Sequence, residues 1–517
     1  MLRVPSLLGA ACHPGCSRCA TPRQGIRGER GPAGLENGGP RRAALASAPQ
    51  SAPDAGLPPF PDPLVADEAL SAFLAEASAL LCRWWSSSAS RPPLPTLSVL
   101  PEVAPRATGL DAGALLDDLQ LVMDGSFHPC HPGALAHLDP PPLTASVAAD
   151  LICAGLNNNL LAEELSPSLS RLERSLTAWL AQRLGLGAGA GGVAASGGSL
   201  SNLMALVVAR RRAGLQTCSE AVVLCSTEAH VSIAKALVVL GLPPAALRPV
   251  AVDPQGRLSL PDLERQLQTL QRSGVPVLAV VATAGTTVRG AVDPIAPIAE
   301  LCRRHGVWLH VDGAIGAVFG LSTSLAGLVP DLGQADSLTI NPQKLLGITK
   351  TSSLLLLRRP QLLAESFGTG LPYMEPSWAE AHGGECGLQG TRPAEILKLW
   401  LGLRQLGLEG IEALLRGALQ RRQRLEELLA PLPLDLAGGP LHLLAFAPAG
   451  CTADQAERWS IRTRQQLLDH QLMLSRPLHA GRHHLKAVLG NPHTGEAQLQ
   501  AIASVVADSL ARPLHDS

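Results

Sequence analysis

Two stretches decide how this chain folds: Val-Trp-Leu-His-Val-Asp-Gly-Ala-Ile-Gly at 307–316 and Ser-Leu-Thr-Ile-Asn-Pro-Gln-Lys at 337–344. Each is a short, mostly apolar run closed by Gly or Pro, the pattern of a strand covered on both faces. Each also sets a charged residue, Asp312 or Lys344, just past the run. In open sheets flanked by helices, ligands bind beyond the carboxyl ends of the strands, so both charges fall where chemistry is expected.

Similar runs recur at 221–225, 247–252, 277–283 and 353–357, separated by helical stretches. Residues 126–400 therefore read as one large α/β domain built on a mostly parallel sheet. Upstream, in a helical N-terminal segment at 61–125, residues 69–85 and 111–123 space their apolar side chains three and four apart. They predict two packing helices joined by a Pro-rich connector at 91–105. Downstream, 401–517 reads as a small C-terminal α/β domain: a long helix from 395 to 429, a strand at 441–446, a helix at 453–470, two short strands and a last helix. Residues 1–60 are rich in Pro, Gly, Ala and Arg without periodicity, the composition of a disordered leader. Cys12, His13, Cys16 and Cys19 lie in that leader without a folded frame, so no metal site is expected.

Composition narrows the function. With 517 residues, 46% of them hydrophobic, the chain can bury a large core, and its net charge of −1 offers no field for nucleic acid or anionic membranes. No apolar stretch approaches the roughly 18 residues that cross a bilayer. Eleven scattered cysteines, an odd number, argue against a disulfide framework and for reduced thiols in a cytoplasmic protein. The expected partner is a small molecule. Tyr373 is the single tyrosine, and the lysines are Lys235, Lys344, Lys350, Lys398 and Lys486. Where Arg supplies most positive charge, each remaining lysine is a candidate for chemistry only an amine can do.

Ser-Gly-Gly-Ser-Leu-Ser-Asn at 196–202 ends a strand and opens a helix, so its N–H groups and the Ser199 hydroxyl can hold a phosphate. Such turns also occur for packing alone. Asp312 at a buried strand end needs a cation; a protonated pyridine nitrogen is one, and an arginine or a helix cap is the ordinary alternative. Lys344 past its strand is placed to form an imine, its pKa lowered by burial, unless it is a surface lysine. His230 can lie flat on a ring or merely cap a helix.

In order, the 196–202 motif, His230, Gly-Thr-Thr-x-x-Gly-Ala-x-Asp-Pro at 285–294, His-Val-Asp-x-Ala at 310–314 and Asn-Pro-x-Lys at 341–344 resemble the group II decarboxylases of amino acids that depend on pyridoxal 5'-phosphate. His-Pro-Cys-His-Pro at 128–132, Leu-Asn-Asn-Asn at 156–159, Ser-Pro at 166–167 ahead of Leu-Glu at 172–173, and Leu-Lys-Leu-Trp at 397–400 extend the resemblance from 128 to 491. It implies a fold-type-I α/β enzyme with Lys344 bound to the cofactor and Asp312 on its ring nitrogen. His230 and Ala314 would cover the ring faces, Gly198, Ser199 and Asn341 would hold the phosphate, and Thr286 or Thr287 would lie close by. It also implies a homodimer with a shared site, to which Thr391 or Arg392 reaches across.

Tyr373 follows Lys344 by 29 residues in a Gly/Pro-containing loop, as a loop tyrosine does in related decarboxylases; there it would return a proton to the substrate Cα while excluding water. Three features depart from the family pattern. Gln343 stands where histidine is usual, and can still donate to a phosphate or ring oxygen. Lys486 replaces the usual arginine and loses a bidentate carboxylate clamp. Gly383-Gly384-Glu385-Cys386 follows a short loop and has no mechanistic reading. The expected reaction is loss of CO2 from an L-amino acid, with 2,4-diaminobutyrate or glutamate as substrates of bacterial proteins it resembles. The rivals are another fold-type-I lyase, aminotransferase or amine-releasing oxidase, and a catalytically silent dimeric homologue.

Overall fold

Helices α1 (Glu68–Ser86) and α2 (Ala112–Asp124) begin where the sequence places carboxylate caps: Asp67 accepts from Leu70 N at 2.9 Å and Asp111 from Ala114 N at 2.8 Å. The computed structural model describes residues 57–96, 100–370 and 382–511. The expected leader to residue 56, its cysteine cluster and Tyr373 lie outside the described residues.

After α3 (Thr144–Leu156) and α4 (Pro167–Arg183) comes the central sheet: β1 (Gly191–Ala195), β2 (Val222–Ser226), β3 (Leu247–Val250), β4 (Val277–Thr283), β5 (Trp308–Gly313), β6 (Ser337–Ile340) and β7 (Ser353–Leu357). Their order is β1-β7-β6-β5-β4-β2-β3. Strands from β3 to β6 are parallel, whereas β7 runs antiparallel to both β6 and β1, and among the described residues β7 is the only strand that β1 meets. The crossovers are α5 (Gly198–Arg212), α6 (Ser232–Val239), α7 (Leu260–Arg272) and α8 (Ile295–His305); α9 (Gln361–Phe367) follows β7.

Alternation along the strands builds two apolar layers. Leu224, Val280, Leu309, Val311 and Leu338 pack toward α4, α7, α8 and α10 (Ile396–Leu429). Val223, Leu278, Val281 and Trp308 pack toward α5, α6 and α9. Each fully buried Leu or Val contributes about 1.5–3 kcal/mol. The second layer has a polar seam, because His310 and Asp312 share the face of Trp308 and sit opposite Ser337 and Thr339 in register.

The long helical region expected from 395 to 429 is α10, which holds a break at Gly407, whose φ of 61° lies outside helical space. Past it, β8 (Leu434–Gly438), β9 (Leu443–Pro448), α11 (Ala453–Asp469), the hairpin β10 (Leu478–His479) and β11 (Arg482–His483), β12 (Leu485–Val488) and α12 (Glu496–Leu510) form a second layer system. Its sheet order is β12-β9-β8, and its core joins Leu425, Phe446, Trp459 and Ile502. A capping box at Thr452 and Gln455 starts α11. Among the described residues no helix is long and apolar enough to cross a membrane.

Candidate active site

Five strand ends converge on one cavity of about 170 Å³. Gly198, Ser199 and Asn202 enter from the start of α5, His230 from the turn after β2, and Thr283, Thr286 and Thr287 from the end of β4. Asp312 and Ala314 come from the end of β5, and Asn341 and Lys344 from the end of β6. Eight residues singled out from sequence thus meet: Gly198, Ser199, His230, Thr287, Asp312, Ala314, Asn341 and Lys344.

The floor is a buried carboxylate. Asp312 is 5% exposed, with Ala314 N donating to Oδ1 at 3.1 Å and Asn202 Nδ2 to Oδ2 at 2.8 Å. Burial pushes the Lys344 amine below its ordinary range, while Asp312 and Asp139 oppose that shift. His230 is likewise held low by burial, against the pull of Asp312. Asp293 fixes the turn above, accepting from Thr283 N at 2.7 Å and Leu258 N at 2.7 Å. There Gly285, at φ +107°, adopts a backbone that a side chain would strain.

Within this frame the chain matches the pyridoxal-dependent decarboxylase conserved domain over residues 97–433. The chain belongs to this family. It is 32% identical over 421 residues to the L-2,4-diaminobutyrate decarboxylase of Rhizobium meliloti (strain 1021), covering 80% of this chain and 84% of that one. Against the cysteine sulfinic acid decarboxylase of Rattus norvegicus it is 32% identical over 365 residues, 68% of this chain and 71% of the relative. The crystal structure of mouse CSAD in apo form superposes with a TM-score of 0.78 at 26% identity, covering 85% of this chain and 98% of that one. As a member of the pyridoxal-dependent decarboxylases it is a fold-type-I α/β enzyme that uses pyridoxal phosphate and decarboxylates an amino acid.

The residues present fit that cofactor. A Cβ on Gly198 would sit 2.9 Å from the Asn341 amide and 3.5 Å from Ala314 Cβ, so only glycine leaves the opening of α5 free of a side chain where a phosphate would bind. The buried Asp312 carboxylate is held by hydrogen bonds rather than an ion pair among the described residues, and suits a protonated ring nitrogen. The buried Thr283 hydroxyl on the cavity wall lacks a hydrogen-bond partner, as expected where a polar ligand completes the set.

Of Thr391 and Arg392, either of which was expected to reach across to a neighbouring subunit, Arg392 is buried and grips Glu173 of its own chain with two bonds of 2.9 Å. An unpaired guanidinium there would be costly to desolvate. Thr391 is exposed, 3.5 Å from Asn159 Nδ2, and lies outside the cavity. Gln343 uses its Oε1 to accept from Ser352 N at 2.5 Å, closing the loop after Lys344. Glu385, left without a role, accepts from Thr369 N, Thr369 Oγ1 and Gly370 N, so it ties 369–370 to 383–385 on either side of the Tyr373 segment.

Asn202 went unrecognised as the partner of Asp312, although it ends the quoted 196–202 motif. His442 and Asp139, which line a crevice on the other side of Lys344, gave no local signal. Lys486 donates to the Thr287 carbonyl at 3.2 Å, and burial with the nearby Lys344 charge pushes its pKa down to about 8.

Proposed function

We propose that this enzyme decarboxylates a small L-amino acid with an acidic side chain, of the glutamate type, as a cytoplasmic homodimer. The observation that carries the substrate class is the Lys486 ammonium on the Thr287 carbonyl at the cavity wall. Asp312 is the only carboxylate lining the cavity among the described residues, and its charge is committed to the cofactor. Nothing else there would pair a second ammonium. Burial, with Lys486, Arg464 and Lys350 nearby, holds the His137 pKa below its ordinary value against the pull of Asp139, so those cations rather than the ring supply positive potential on that side.

In this reading Lys344 holds the cofactor covalently, Asp312 keeps its ring nitrogen protonated, and His230 and Ala314 cover its two faces. Gly198, Ser199 and Asn341 hold the phosphate, and Thr287 borders the ring. When bound, the cofactor supplies an electron sink for the electron pair left by the departing carboxylate. Lys486 orients a substrate carboxylate. Tyr373 returns a proton to the substrate Cα and keeps water from it. Thr391 reaches the site of a second copy. Support for self-association comes from α1 to α3, where Leu74, Leu119, Val122, Leu151 and Ile152 are exposed and Trp84 is the only apolar side chain α1 and α2 bury.

A second reading, 2,4-diaminobutyrate as substrate, is favoured by Asp139 in the crevice beside Lys344 and by the Rhizobium meliloti relative. Release of CO2 from carboxyl-labelled glutamate, cysteine sulfinate, 2,4-diaminobutyrate and an aromatic amino acid separates the readings. The expected result is turnover of an acidic substrate, lost in Lys344→Ala together with the visible absorption of the bound cofactor, and lost in Tyr373→Phe with that absorption kept. Preference for diaminobutyrate overturns the acidic assignment.

A further inference from the structure

Beneath the cavity, the polar seam between α5 and the sheet forms one continuous chain of hydrogen bonds whose direction can be read from its fixed donors. Trp308 Nε1 can only donate, and it does so to Ser337 Oγ at 2.9 Å. The same Ser337 Oγ lies 2.9 Å from His310 Nδ1. Burial holds the His310 pKa below its ordinary value, and Asn202 Oδ1, which can only accept, fixes the proton of the neutral ring on Nε2 and leaves Nδ1 to accept from Ser337. From there it donates to Asn202 Oδ1 at 3.0 Å, which also accepts from Thr339 Oγ1 at 2.8 Å.

Asn202 cannot be turned over, because its oxygen would then face the Asp312 carboxylate. Its two amide protons go to Asp312 Oδ2 at 2.8 Å and Ser232 Oγ at 2.9 Å, which uses every donor and acceptor the side chain has. Ser232, having accepted from Asn202, donates to His230 Nδ1 at 2.9 Å, and Ser232 N donates to the same atom at 3.2 Å. A backbone N–H has no choice of role, so His230 Nδ1 is an acceptor.

We infer that Asn202 and Ser232 are positioning residues that fix His230 as the Nε2–H tautomer and lock its ring in register with the Asp312 carboxylate. One amide thus sets both the group beneath the ring nitrogen and the group over the ring face. The Nε2–H is the donor left for the ligand side. Any drift of the Asp312 strand end carries His230 with it, so the ring-nitrogen contact and one face contact stay matched. Asp312, Lys344 and Lys235 are the charged groups facing the His230 ring.

This inference rests on the proposed placement of His230 and Asp312 at the cofactor, and its test is run without cofactor or substrate so that the two can fail separately. In cofactor-free protein with 15N-labelled histidine, the His230 signals are identified by their loss in His230→Gln. Wild type is expected to show Nδ1 unprotonated and Nε2 protonated at neutral pH. Ser232→Ala removes one bond to the neutral ring and should raise the His230 midpoint by about half to one unit, with a mixture of tautomers. Ser232→Thr should restore the wild-type behaviour. Asn202→Ala, which cuts both arms, should move the midpoint the same way and weaken cofactor binding about tenfold. In the loaded enzyme Ser232→Ala should lower kcat with KM nearly unchanged, as expected for loss of orientation rather than of binding. A wild-type Nδ1–H tautomer, an unmoved midpoint in Ser232→Ala, or a Ser232→Thr protein that behaves as Ser232→Ala overturns the inference. A fixed tautomer in a protein that releases no CO2 from any amino acid would instead sink the decarboxylase reading and leave the inference standing.

Discussion

Replacing Lys486 by Met is predicted to stabilise the cofactor-free protein at neutral pH while impairing its chemistry. The side chain is largely buried, and its pKa falls from 10.5 to about 8 because burial and the Lys344 charge both penalise its protonated form. That difference of about 2.5 units corresponds to roughly 3.4 kcal/mol at 1.36 kcal/mol per unit. Met fills similar space without a charge, and loses the bond to the Thr287 carbonyl, about 1 kcal/mol. The net gain near pH 7 is about 2 kcal/mol. The sign follows from which state binds the proton more tightly. The lysine is protonated in both states below its folded pKa, so the whole cost is present there. As pH rises toward 10.5 the folded protein has already lost the proton, and the cost fades to roughly 1.4 kcal/mol near pH 9.5. The advantage of Met should therefore nearly vanish by that pH. Urea unfolding of both proteins at about pH 7 and 9.5, at equal protein concentration so that self-association does not intrude, measures it. A Met variant that is less stable at pH 7, or a difference that does not change with pH, would refute the reasoning.

Three other outcomes are expected. Arg392→Met leaves the Glu173 carboxylate buried and unpaired, and should cost about 3–5 kcal/mol in denaturant unfolding. Gly285→Ala combines strain at φ +107° with a Cβ 2.9 Å from Leu441 Cδ1 and 3.0 Å from Ile315 Cβ. It should lower stability by roughly 2–5 kcal/mol, read as a depressed thermal midpoint. The Cys225 and Cys302 thiols, pushed up to about 12 by burial, should resist alkylation in the native state while exposed Cys82 reacts at once, as counted by mass spectrometry.

Much of the site was legible because its residues sit where runs of apolar sequence end. Asp312 and Lys344 are the charges that close β5 and β6, and the spacing of strand and helix patterns already placed them on one edge of a sheet. What a linear reading lacks is the partner of each group. Asn202 looked like the tail of a glycine-rich turn because nothing local says that α5 lies over β5 and β6. The pairing of Arg392 with Glu173 was equally out of reach, since the two lie 219 positions apart along the chain. Gln343 was judged by the residue it replaces, whereas the reach of its amide to Ser352 depends on how the following loop folds back. Strand direction was equally hidden: the run at 353–357 is as apolar as its parallel neighbours, and nothing local shows that it returns antiparallel to β6.

The position of β1 bears on how the protein is made. Among the described residues its only strand partner is β7, with Gly191 opposite Leu357, so 166 residues must emerge before its backbone groups find that neighbour. At roughly 5–20 residues per second, that is a wait of about ten to thirty seconds for a nascent strand with both edges open. A strand rich in Val, Ile or Phe would be an aggregation hazard over such an interval. Gly-Gly-Val-Ala-Ala has little to offer a stray strand, and Gly192 later allows the close approach to Leu355 that a side chain would forbid. The composition of this strand protects the newborn chain as much as it suits the finished sheet.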